Sequence, residues 1–165
     1  MKRFVALYFL YLVILFILFY TDTSILATVV NEAQTKLTLF FLDIFLPAEQ
    51  LQGIDIWINP QYKIIINQAC NGIIPILFLF ASILAYPSKL WYKILWMSIG
   101  YIIFSLVNVF RILLVVYFVE QKGGQENFYW SHDLIGNVLL MGVGLGLFIS
   151  FIKLSKKYLL LQSLE

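Results

Sequence analysis

Cys70 and His132 are the only cysteine and the only histidine in this chain, and Arg111 lies between them. Cys70 stands in "INQACNGIIP" (65–74), where a run of β-branched residues gives way to a long apolar stretch. That position reads as the first turn of a helix, where free amide N–H groups and the dipole favour a thiolate. The amides of Asn71 and Gly72 can face an oxyanion there, and glycine permits a close substrate approach. Asn108 lies three residues before Arg111, on the same helical face, placed to hold the guanidinium. Gly136 lies one turn after His132 and clears space beside the ring. One cysteine excludes an internal disulfide and any multi-cysteine metal site. One histidine argues equally against a protein-built zinc or haem centre.

The elements that must position these residues follow from composition. The chain has 165 residues, 62% of them hydrophobic and 12% charged, whereas globular domains are about half apolar and about a quarter charged. The charges are segregated, leaving apolar windows long enough to cross a bilayer. The expectation is an all-α integral membrane protein, a single membrane domain over 1–165 with four transmembrane helices at about 4–20, 70–86, 90–119 and 132–152. The unbroken apolar run of the first span exceeds that of a signal peptide, so a retained anchor is expected. Nucleic-acid binding has no support, because the 11 basic residues form no patch.

Orientation follows from the loops. With both ends in the cytoplasm, the inner side carries Lys2, Arg3, Lys89, Lys93, Lys153, Lys156 and Lys157, against Lys36, Lys63, Arg111 and Lys122 outside. The positive-inside bias favours this arrangement. The outer segment 21–69 then holds "KLTLFFLDIFLPA" (36–48), too short to span and suited to lying at the interface. It also holds "GIDIWINPQYKIIINQ" (53–68), whose alternation broken by "NPQ" predicts a β-hairpin turning at Asn59-Pro60. The second strand delivers the chain to Cys70 at the membrane surface.

A helical rise of ~1.5 Å per residue puts Cys70 about 28 Å from Lys89, Arg111 about 27 Å from Lys93 and His132 about 32 Å from Lys153. With a hydrocarbon core of ~30 Å, all three reach the outer boundary. The apolar "ILLVVYFV" (112–119) beyond Arg111 leaves two readings: the third helix bends, or Arg111 is submerged by up to a couple of turns. A submerged arginine is costly and marks a functional site. Each residue also has a structural reading. Cys70 can be a small hydrophobe, Arg111 can snorkel to headgroups, and His132 can cap the fourth helix or sit in water. Convergence at one depth favours chemistry.

"ACNGI" (69–73), "NVFR" (108–111) and a following histidine before a glycine-containing last span resemble the exosortase/archaeosortase family of membrane cysteine transpeptidases. The resemblance covers roughly residues 50–152, and the compact size is similar to short members such as exosortase H. It implies Cys70 as nucleophile, His132 as general acid/base and Arg111 as oxyanion or substrate stabiliser, with Asn108, Asn71, Gly72 and Gly136 in support and no cofactor. Asn71 departs from the family pattern, where serine is commoner, and this bears on subfamily and substrate recognition.

The implied activity is cleavage of C-terminal sorting signals, each a short motif, a membrane helix and a basic tail, on exported proteins. The Cys70 thioester is resolved by an amine, another acceptor or water. The implied location is a bacterial or archaeal cytoplasmic membrane, with the lipid bilayer around the chain and the active site outside. A rival reading is a non-catalytic assembly or transport subunit in which Arg111 and His132 form a polar interface. Other membrane hydrolases lack support, because the chain has no G-x-S-x-G, no H-E-x-x-H and no intramembrane acidic pair. "GVGLG" (142–146) lies within a span and suits close helix packing rather than nucleotide binding.

Overall fold

The computed structural model describes residues 2–21, 24–122 and 136–162. They form α1 (Lys2–Phe19), α2 (Ile25–Phe45), β1 (Leu51–Gln52), β2 (Asp55–Asn59), β3 (Tyr62–Ile65), a 3₁₀ turn (Gln68–Asn71), α3 (Ile73–Ala85), α4 (Leu90–Lys122) and α5 (Gly136–Gln162). The chain is thus a mostly helical membrane protein with a small sheet. α1, α4 and α5 are each long and apolar enough to cross a membrane.

α1 is apolar around its whole circumference and buries only Leu15, so most of its surface needs lipid as a neighbour. Leu15 packs with Ile73, Leu77 and Ala81 of α3. α5 joins α3 and α4 through Leu140 and Phe151, which share a core with Ile76, Leu79, Ile83 and Phe104. Phe151 is ringed by Tyr86, Tyr92, Trp96 and Phe148, with centroids 5.4 to 6.3 Å apart.

α3 is shorter than the expected 70–86 span. It has 13 residues, about 20 Å of helix against a hydrocarbon core of ~30 Å. Gly72, at φ 66° and ψ 20°, separates it from the 3₁₀ turn that carries Cys70. Cys70 is therefore not in the first turn of the apolar helix, and the helical count from Lys89 to Cys70 does not hold. Pro75 sits in the first turn of α3, where its missing N–H costs nothing. At the other end Lys93 reaches across from α4 and donates to the Leu84 carbonyl at 2.7 Å, satisfying a terminal acceptor.

The expected hairpin is present and extended. β2 pairs antiparallel with β3 around Pro60-Gln61, and β1 adds to the other edge of β2. Alternation sorts the two faces. On one, Ile56 and Ile64 are buried, continued by Ile66 just past the strand. On the other, Lys63 bonds Asp55 at 2.6 Å and lies 5.3 Å over the Trp57 ring. The buried face packs with Leu42 against Ile112, Val115, Val116 and Val119 of α4. This accounts for the apolar run beyond Arg111. α4 continues unbroken for 33 residues, about 50 Å, and protein covers its C-terminal part.

α2 is longer than the expected 36–48 helix. Ser24 caps it, accepting from the Ala27 N–H at 3.4 Å. Its inward face is Ala27, Gln34, Thr38 and Leu42, half of it polar. On that face Gln34 meets polar partners on α4, and beside it Asn31 and Thr35 meet Asn71 of the 3₁₀ turn.

Candidate active site

The chain leaves β3 through Ile66, whose N–H returns to the Ile54 carbonyl at 2.8 Å. Asn67 then caps the 3₁₀ turn. Its Oδ1 accepts from the N–H groups of Ala69 (3.0 Å) and Cys70 (3.3 Å), a local side-chain-to-backbone bond of the kind that starts a turn.

Three elements anchor this turn. Gln68 donates to the Tyr20 carbonyl at the end of α1, 3.1 Å away. Asn71 donates to Asn31 Oδ1 (2.6 Å) and Thr35 Oγ1 (2.7 Å) on α2. Asn108 on α4 donates through Nδ2 to the carbonyl of Cys70 at 2.8 Å.

Asn108 also accepts at Oδ1 from Arg111 Nη1, 3.2 Å away. Both ends of the amide are thereby fixed, one by a carbonyl and the other by a cation. Arg111 is 3% exposed and Asn108 1%. A charge this deep in an apolar helix is expensive unless hydrogen-bonded.

Two glycines make the room. A Cβ on Gly72 would come within 2.9 Å of Asn108 Oδ1, and its positive φ already disfavours other residues. A Cβ on Gly136 would fall against Arg111 Nε and lie 3.0 Å from its Cδ. Gly136 therefore clears space for the arginine, where the sequence suggested the imidazole. His132 itself lies outside the described residues.

Cys70 is buried at 6% exposure. Its sulfur lies 3.7 Å from the Ile65 carbonyl, in the apolar cluster formed by the sheet, Val109 and Ile112. Ala69, directly before it, and Gly72, two residues after it, line a groove of about 740 Å³ between α1, α3 and α5. Gln68, Arg111 and Asn137 stand around the same space. The guanidinium and the cysteine turn thus meet at this groove, linked by one side chain, Asn108.

Some of the arrangement lay outside the sequence reading. Tyr101 Oη donates to Gln34 Oε1 at 2.6 Å, and Gln34 Nε2 donates to Ser105 Oγ at 3.3 Å. With Asn71, Asn31 and Thr35 they form a polar ladder between α2, the turn and α4. Its signal was present: polar residues at 31, 34, 35 and 38 on one segment and at 101, 105 and 108 on another, each at helical spacing. Asn71, where the expected family pattern prefers serine, is fully buried and spends its amide on α2.

No group of three or more His, Cys, Asp or Glu side chains placed to hold a metal ion occurs among the described residues. Compared with known proteins, residues 1–150 match the family model described as Transmembrane exosortase (Exosortase_EpsH). No curated protein and no solved structure matches the chain.

Proposed function

We propose that this chain, which belongs to the transmembrane exosortase family, is a membrane cysteine peptidase and transpeptidase with Cys70, Arg111 and His132 as its reacting groups. The Cys70 thiolate attacks a carbonyl carbon in the sorting signal of an exported protein. Arg111 offers a fixed cation where charge develops on the carbonyl oxygen. His132 gives a proton to the leaving amine as the C–N bond breaks. The thioester left on Cys70 is then taken by an amine or by water, and the thiol is regenerated.

One observation carries the reading. A single buried amide, Asn108, holds both the Cys70 carbonyl and the Arg111 guanidinium. This fixes the cysteine turn against the cation beside an open groove. The sulfur faces the strand end, so attack requires a χ1 rotation toward the groove. The positive-inside distribution supports both termini in the cytoplasm and the site on the outer side of a bacterial or archaeal cytoplasmic membrane.

A non-catalytic subunit is the second reading, favoured by the apolar packing of the thiol. Co-expression of each variant with an exported protein ending in a motif, an apolar helix and a basic tail separates the two. Helix removal is followed by immunoblot. Cys70→Ala is expected to leave the substrate full length. Arg111→Lys keeps the charge but loses the planar fork, and is expected to cost ~100- to 1000-fold. His132→Ala is expected to slow transfer with the thiol still alkylatable. Processing by Cys70→Ala at the wild-type rate would sink the enzyme reading.

A further inference from the structure

Among the described residues β3 pairs with β2 and with no other strand, so one of its edges is open. The register says which groups stand there. The Ile66 N–H reaches the Ile54 carbonyl at 2.8 Å, and Ile64 stands opposite Ile56. Antiparallel pairs alternate between facing inward and facing away. Ile64 and Ile66 therefore turn their backbone groups toward β2, and Lys63 and Ile65 turn theirs outward.

Both outward residues are exposed. The Ile65 carbonyl meets the Cys70 sulfur at 3.7 Å. The Lys63 N–H, the Lys63 carbonyl and the Ile65 N–H have no hydrogen-bond partner among the described residues. A lysine commonly guards such an edge. Lys63 is instead drawn across the sheet face to Asp55, 2.6 Å away, and lies over the Trp57 ring.

Unpaired N–H and C=O groups in alternation select one class of ligand, an extended peptide that adds as a further strand. An acyl chain has neither donor nor acceptor to offer, and a helix has already spent its own. The edge also leads to the nucleophile. Ile65 is the last residue of β3, and the sulfur stands at its carbonyl.

We propose that the outer edge of β3 docks an extended stretch of the substrate as an added strand, with Lys63 and Ile65 making the backbone bonds that bring a peptide bond to Cys70. A peptide N–H is a stronger donor than a thiol. Pairing therefore takes over the Ile65 carbonyl and leaves the sulfur to turn toward the groove. Only two outward residues take part, so the contact is weak enough to release the chain after cutting. This rests on the peptidase reading.

The test uses the full-length chain in membranes with the tailed substrate described above. Proline at an outward-facing edge position removes the N–H without touching the β2–β3 ladder. Lys63→Pro and Ile65→Pro are each expected to lower processing ~3- to 10-fold, as one lost hydrogen bond does, with the Tm in detergent retained. A second arm does not depend on how the proline variants fold. A photo-crosslinking residue replaces Ile65, or Gln52 on β1, which is exposed at the far side of the sheet. A Cys70→Ala background keeps the substrate uncut. Capture of the substrate is expected from position 65 and not from position 52.

Crosslinks from position 65 to lipid alone or to a second copy of this chain overturn the proposal. So does a loss from Lys63→Ala equal to that from Lys63→Pro, because the alanine keeps the N–H and removes only the side chain. The two readings fail separately. Wild-type chain that leaves substrate full length while the crosslinks form removes the peptidase and keeps the docking edge. Processing at the wild-type rate by both proline variants removes the edge alone.

Discussion

The two sides of α4 that lead to the cysteine turn are built in opposite ways. Toward α2 the contact is closed by hydrogen bonds: Tyr101 and Ser105 on Gln34, then Asn71 on Asn31 and Thr35. Toward α5 it is closed by packing, with Gly136 against Arg111 and Gly144 against Phe104. Apolar surface gains nothing by leaving lipid for protein, so helices in a membrane associate through packing and polar bonds. The α2 side uses the second means and fixes the turn in place. The α5 side uses the first, and its face borders the groove that reaches the guanidinium. Rigidity sits on one side of the turn and access on the other.

The comparison breaks most sharply at Gly136. Gly136→Ala puts a methyl group on the Arg111 stem, so the guanidinium must move. If its position matters to the reaction, processing is expected to fall ~100- to 1000-fold, as for a lost oxyanion donor. Gly142→Ala, in the same helix but facing open space, is expected to stay within about 0.5 kcal/mol of wild type in stability and to process normally. Equal losses for the two would mean that α5 packing, not the arginine, is what Gly136 protects.

The closed side should respond in stability rather than rate. Gln34→Leu strands the Tyr101 hydroxyl and Ser105 Oγ, and is expected to cost about 1–3 kcal/mol. A thermal melt in detergent reads this as a lowered Tm, with processing per folded molecule retained. A fall in processing with an unchanged Tm would place the ladder in the reaction itself.

The smallest effect is expected one turn further along α2. Thr38 Oγ1 is buried with no hydrogen-bond partner among the described residues. Thr38→Val keeps the shape and removes the orphan hydroxyl, so stability is expected to be unchanged or to rise by up to ~1 kcal/mol. A clear loss would reveal a partner for that hydroxyl.

What the sequence made readable is uneven for physical reasons. The Asn108–Arg111 pair follows from helical spacing alone, and the hairpin from alternation between Ile56 and Ile66 around Asn59-Pro60. Both are local patterns. α2 was cut short because Asn31, Gln34 and Thr35 look like breaks in an apolar segment. Their partners Asn71, Tyr101 and Ser105 lie 36 to 71 residues away, beyond any window of periodicity. The start of α3 was misplaced because Gly72 adopts a left-handed conformation that glycine permits but does not announce. The role of Gly136 could not be read either, because a glycine shows where a side chain is missing and not which neighbour fills the gap.

α4 has one more consequence, for insertion. From Leu90 to Phe110 it has 21 residues, about 31 Å, which matches a hydrocarbon core of ~30 Å. Its apolar character continues well past that point, so hydropathy alone leaves the helix free to slide by several turns as it enters the bilayer. Only when Leu42 and the sheet residues Ile56 and Ile64 close over Val115 and Val119 is the excess withdrawn from lipid. The folding of this small cap therefore sets the vertical register of the helix. With it comes the height of Arg111 above the membrane midplane, a quantity that the apolar helix by itself leaves undefined.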